Sequence, residues 1–129
     1  MHVIDFNAER SAPITEYDSH GASAQRLADG AGEAHVYAVH IAAGGEIGPH
    51  LAGFGQLFLV VSGEAWVEGG DGVRRRVRAG QGAVIARSEV HSKGSAAGCT
   101  AIMIQLAELI STGTVDPLLA ARLTFGEDR

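Results

Sequence analysis

Glu64-Ala65-Trp66-Val67-Glu68-Gly69-Gly70-Asp71-Gly72-Val73-Arg74-Arg75-Arg76-Val77 spells out a β-hairpin. Glycine and aspartate tolerate the positive φ angles of a tight turn, so Gly69 to Gly72 is the reversal. Glu64 to Glu68 is the strand before it and Val73 to Val77 the return. Side chains two apart on a strand share a face, which puts Arg74, Arg76 and Arg78 together. Acids such as Glu64 and Glu68 lie on the neighbouring strand, so this is expected to be a solvated outer face laced by cross-strand pairs.

The same grammar continues outward. Gln56 to Ser62 is the most apolar segment, and Gly63 is expected to end it. His35 to Ile41 is a strand candidate followed by Gly44-Gly45, and Gln81 to Ala86 and Thr100 to Leu106 are two more. Glycines fall at intervals between short apolar runs, which is the punctuation of an all-β sandwich or barrel. Residues 1–33 are polar and weakly patterned, and an edge strand with a lid-like loop is expected there. Asp116-Pro117 is a helix start, with Asp as cap and Pro in the first turn. Leu118, Leu119, Ala121 and Leu123 then form an apolar stripe, so a short helix over 116–124 is expected to cover the barrel's outside. No repeat or linker interrupts the chain, which reads as one domain over 1–129.

Two stretches resemble the paired motifs of the cupin superfamily. Gly44 is followed by five residues and then His50; Ala52 stands where that family has a second histidine, Gln56 where it has a glutamate, and Gly63 closes the motif. Gly80 opens the second motif, with Ala86, Ser88, His91 and Ser95 at its later positions. Only Gly80 and His91 keep the family identity there, so the spacing persuades more than the residues do. Sixteen residues separate Gly63 from Gly80, as in small microbial cupins. The resemblance implies an all-β double-stranded β-helix, or jelly-roll barrel, with its core over about 36–106 and an N-terminal segment 1–35.

It also implies a site. In cupins the corresponding side chains point into the barrel and hold a divalent metal, which here leaves His50, Gln56 and His91. Ala52 cannot coordinate, and Gln56 is a neutral donor. The set resembles a two-histidine facial triad without its carboxylate, leaving about three octahedral positions to water or substrate. Such a centre would attract an anionic ligand, and zinc, iron, nickel, manganese or copper are the candidate ions. Two imidazoles and an amide inside a barrel fit a second reading equally: a metal-free, hydrogen-bonded site for a small molecule. His40, Tyr37, Phe54 and Phe58 are the candidate pocket residues around it. Either the His40 and Ala38 face or the His35 and Tyr37 face of that strand could look inward. Core packing is the plain reading of Phe58 and Trp66, and Glu89 reads as a surface turn.

Composition narrows the function classes. Apolar residues make up 46% and charged residues 19%, which is ordinary for a globular chain. The net charge is −5 and Lys93 is the only lysine, so nothing recommends nucleic acid or an anionic membrane as partner. Cys99 is the single cysteine and reads as a small buried hydrophobe. The opening residues carry Asp5, Asn7 and Glu9 and do not resemble a secretory signal, so a cytoplasmic protein is expected. No phosphate-cradling glycine loop points to an organic cofactor. A homodimer involving the N-terminal segment is expected, because the apolar strands leave edges that need cover. The alternatives left are a metal-dependent oxygenase, isomerase or decarboxylase-like enzyme, and a non-catalytic binding or sensor module. A metal-independent epimerase would need a histidine–acid pair whose acid is not evident.

Overall fold

Alternating apolar residues and glycine-rich turns yield strands almost throughout. A computed structural model describes residues 1–111. In chain order the strands are β1 (His2–Asp5), β2 (Ala12–Pro13), β3 (Ser23–Ala24), β4 (Ala28–Ile41), β5 (Gly45–Leu51), β6 (Gly55–Gly69), β7 (Arg74–Arg78), β8 (Gln81–Ile85), β9 (Val90–Ser95) and β10 (Cys99–Ser111). A single 3₁₀ turn, Ala8–Arg10, is capped by Asn7, whose side chain accepts from the Arg10 N–H. The helix expected over 116–124 lies outside the described residues.

Chain contacts divide the molecule into compact units, one of which joins Met1–Asp5 to Gly30–Leu109. That unit carries the barrel strands, in the order β1-β8-β6-β10-β4, with β5 on β9 and β7 and β9 on β6. The N-terminal edge strand exists: β1 runs antiparallel to β8 from His2↔Val84 to Asp5↔Gln81. Phe6–Asp29 belongs to a second unit, in which β2 and β3 form a small two-stranded ladder.

Gly63 does not end a strand, contrary to expectation; it bends one. The first half of β6 pairs with β8 and β10, from Gln56↔Ile85 to Val60↔Gln81 and across to Cys99↔Gly63. The second half pairs with β7 and β9, as in Ala65↔Val77 and Val67↔Lys93. One strand therefore serves two sheets and turns between them at Gly63, where φ is +76°. A residue with a Cβ reaches that conformation only at a cost, and the strand passes the corner because it has none there.

The core follows from period-two alternation on the inner faces. Phe58, Val60, Ala65, Val67, Val77, Ala83, Ile85, Ala101 and the free Cys99 form one buried cluster. Trp66 is not in it, which corrects its assignment to the core. Ala65 and Val67 take the inward positions, so Trp66 between them faces out, half-buried, with the Arg74 guanidinium 3.5 Å from its ring centroid.

The expected ion-pair face is present. Arg76 Nε donates to Glu64 Oε1 at 2.6 Å and Arg74 Nε to Glu68 Oε1 at 3.3 Å. The Arg76 hydrogen bond, more than its charge, holds the Glu64 carboxyl below the usual carboxylate range. Both partners are exposed to water, and such pairs contribute little after screening and side-chain ordering. Arg76→Ala is expected to leave the urea midpoint unchanged within error, and a clear drop would mean the face is shielded from water.

Candidate functional site

His50 and His91 are directly opposite residues of the β5–β9 ladder. Their ring centroids lie 4.4 Å apart, so the chain brings together the two imidazoles that the motifs single out. Their environments differ. His50 is exposed and His91 is 1% exposed. His50 Nδ1 donates to the Gly48 carbonyl oxygen at 2.8 Å, which leaves Nε2 of the neutral ring as an acceptor. The pairing of β9 with β5 and β6 fixes where His91 stands; a tight turn precedes it, in which Glu89 N–H donates to the Ala86 oxygen. Glu89 therefore sits in a turn, as expected. Burial opposes ionisation of its carboxyl, but hydrogen bonds from the Met1 amino group and the Ala86 N–H keep it ionised to lower pH than usual.

Gln56 is also buried, at 2% exposure. It does not reach the histidines by a hairpin from β5. The chain crosses at Ala52–Phe54 from one sheet to the other, and Gln56 stands on β6 opposite Ile85 and Gln105. What joins it to His91 is Lys93, a residue not foreseen as part of the site. Lys93 Nζ donates to Gln56 Oε1 at 3.3 Å and to His91 Nδ1 at 3.2 Å. The Phe58 ring centroid lies 5.3 Å from the same nitrogen, within cation–π range.

Lys93 is 1% exposed. Lysine is almost never fully buried unless paired with an acid. Among the described residues no carboxylate forms an ion pair with it, and burial alone pushes its pKa down to about 8. The His91 ring is pushed down to about 4, first by burial, then by the charges of Lys93 and His50. An ammonium donating to Nδ1 places the His91 hydrogen on Nε2. That nitrogen is buried and has no hydrogen-bond partner. An unpaired buried donor beside an uncompensated buried cation is costly, and an acceptor with negative charge would relieve both.

The pocket candidates separate. Phe58 is fully buried beneath the Lys93 ammonium. Of the two faces of β4, the one carrying His35, Tyr37 and Val39 turns inward, with Val39 packed on the core. His40 lies on the other face, exposed and held at 3.1 Å from Thr100 Oγ1, so it does not line the barrel. Tyr37 is 46% exposed and stacks on His35, whose ring lies 5.6 Å from that of Phe54. Tyr37 and Phe54 are thus grouped around His35. A separate surface recess of about 320 Å³ is lined in part by Asp71, Arg75 and Glu89. Its charges are satisfied internally, Arg75 by Asp71 at 3.1 Å and Glu89 by the Met1 amino group at 2.5 Å.

No family model and no curated protein matches the sequence. Solved structures do. A conserved protein of unknown function from Streptococcus pyogenes aligns at TM-score 0.55 and 20% identity, over 59% of this chain and 66% of that one. A cupin-like protein from Thermotoga maritima aligns at 0.55 and 21%, over 67% and 72%. A cupin superfamily protein from Desulfitobacterium hafniense aligns at 0.56 and 12%, over 84% of this chain and all of that one. The chain has the cupin fold.

The metal that a cupin site implies can be tested against these donors. They fit it poorly. Gln56 Oε1 and His91 Nδ1 both receive hydrogen bonds from Lys93. The remaining His91 nitrogen then carries a hydrogen, which leaves His50 Nε2 as the one imidazole lone pair. A dication would also lie against an ammonium with no carboxylate to balance either charge. In this barrel the Lys93 ammonium stands between Gln56 and His91, two of the three donors the motifs single out. The sequence held the signal: Lys93 is the sole lysine and stands two residues from His91, on the same face of its strand.

Proposed function

We propose that this cupin is a metal-free binding protein for a small organic anion, a carboxylate of a few carbons, taken up at Lys93, His91 and His50. The observation that carries the reading is the buried Lys93 ammonium, without an acidic partner among the described residues, beside a His91 N–H that none of them accepts. A carboxylate supplies one negative charge and two acceptor oxygens, and hydrogen bonds to charged groups strengthen where water is excluded. His50, exposed and with its ring centroid 4.4 Å from that of His91, marks the side from which a ligand enters. Divalent metals are disfavoured by the same ammonium that favours the anion.

The test is thermal unfolding of tag-free protein with millimolar acetate, glycolate or glyoxylate, chloride serving as the ionic-strength control. At least one acid is expected to raise Tm by several degrees through mass action. The shift should vanish in Lys93→Met. Equal shifts with chloride, or a stoichiometric divalent ion found by elemental analysis after metal supplementation, would overturn the proposal.

A further inference from the structure

We infer that Lys93 is an amine nucleophile that captures a small carbonyl acid as an imine inside the barrel. This rests on the anion reading and goes beyond it, from binding to covalent chemistry. The chain has one lysine and uses arginine at every other basic position apart from histidine. Arginine keeps its charge and is no nucleophile, whereas a desolvated lysine is readily neutralised and attacks carbonyl carbon. The one primary amine borne by a side chain is not on the surface, where lysines normally lie. It is fully buried on the inner face of β9, against Phe58, and among the described residues no carboxylate pairs with it. The two groups within hydrogen-bond reach of its nitrogen, His91 Nδ1 and Gln56 Oε1, are neutral acceptors.

The neighbours suit the steps. The lone pair of Lys93 Nζ attacks the carbonyl carbon, forming the C–N bond as the C=O π pair moves to oxygen. His91 Nδ1, already 3.2 Å from Nζ, accepts the proton that nitrogen sheds. The unpartnered His91 Nε2–H is the group to protonate the oxygen, so one imidazole carries the first proton from nitrogen to oxygen by exchanging tautomers. The nitrogen lone pair then forms the C=N bond to Lys93 as the C–O bond breaks, and the departing hydroxyl takes as its second proton the hydrogen left on nitrogen, so that water leaves. Carbonyl compound and amine give imine and water, and no oxidant, reductant or metal is consumed. Gln56 Oε1, 3.3 Å from Nζ, accepts the nitrogen's remaining hydrogen and so directs its lone pair. His91 acts here as a proton-transfer residue and Gln56 as a positioning residue.

The full-length folded protein would be incubated with glyoxylate and sodium cyanoborohydride, then weighed intact and mapped by peptide. The same would be done with acetaldehyde, which has two carbons but no carboxylate, and with protein unfolded in urea. The expected result is a single reduced adduct at Lys93, formed about tenfold faster in the folded chain than in urea, because a desolvated amine is the better nucleophile. His91→Gln is expected to slow trapping more than it weakens the glyoxylate-induced shift in Tm, a split that a merely structural role would not produce. No adduct at Lys93 in the folded chain, or faster labelling in urea, overturns the inference. Protection by glyoxylate in thermal unfolding without an adduct overturns it while leaving the anion reading in place. Trapping of acetaldehyde as fast as glyoxylate supports the imine and removes the anion.

Discussion

The stability gap between the wild-type protein and Lys93→Met is expected to change by about 3 kcal/mol between neutral pH and about pH 10.5, in favour of the wild type. The folded Lys93 titrates near 8, against an ordinary 10.5. Below 8 both folded and unfolded chains carry the proton, and the folded state bears the full cost of a desolvated ammonium. Between those two values only the unfolded chain still binds the proton, so wild-type stability climbs with pH; above 10.5 neither does and the climb ends. Each pH unit in that window is about 1.4 kcal/mol, which gives the stated total to within a unit of pKa. Methionine has nearly the same length and no charge, so its curve should lack the climb. It leaves Gln56 Oε1 and His91 Nδ1 without their donor, a roughly constant offset that does not imitate the slope.

Urea unfolding followed by Trp66 fluorescence at several pH values reads both curves, and above neutral pH, where His91 is uncharged in both proteins, the other titrating groups cancel in the difference. Acid adds a second limb. His91 sits near 4 when folded against an ordinary 6.5, so stability falls as pH drops through that interval, where the unfolded ring takes a proton that the buried one declines. The protein should therefore be most stable on the alkaline side of neutrality. Parallel curves for wild type and Lys93→Met would mean that water reaches the amine, and the anion site would lose its basis.

What could be read from the letters and what could not follow from the range of the interactions involved. Strand and turn identity are local: the Glu64 to Val77 hairpin, its ion-pair face and the β1 edge obey alternation and turn chemistry within a few residues. The meeting of His50 with His91 was legible only through motif spacing, because it depends on two strands far apart in the chain pairing in one register. Other features depend on which sheet a residue faces. Trp66 looked like core because it is large, but the inward parity of Ala65 and Val67 excludes it. His40 looked like a pocket residue, but Ile41 and Val39 claim the inner face of β4. Gln56 stands on the sheet opposite to His50, paired with Ile85 and Gln105, and motif spacing does not say so. Lys93 was overlooked as a site residue because lysine normally marks surface, and a prior of that kind hides the residue most exceptional in its placement.

Gly63→Ala is expected to destabilise the barrel by about 2–5 kcal/mol, a large fraction of a marginally stable domain's total. Two effects add. At φ +76° an L-residue bears the steric cost of the left-handed region, about 1–2 kcal/mol. A Cβ at this position would also lie 2.9 Å from the Cys99 Cα and closer still to the Gly98 carbonyl oxygen. Both are backbone atoms of the neighbouring strand and cannot swing aside as a side chain can. Relieving the overlap means moving β10 from β6 at Cys99↔Gly63, where β6 leaves one sheet for the other; overpacking of this kind costs about 1–3 kcal/mol. Gly72→Ala is the control. Gly72 has nearly the same φ, +72°, in the β6–β7 turn, but nothing lies within 4 Å of its virtual Cβ. It should show the backbone cost alone, about 1–2 kcal/mol. The difference between the two variants, read from urea midpoints with an unchanged m-value, isolates the close approach of the strands at the corner. Equal losses would mean that β10 yields freely there, and the two halves of β6 would not be locked at a fixed angle. The placement of Gln56 relative to His91 and Lys93 depends on that angle, since Gln56 lies before Gly63 on β6 and β9 pairs only after it.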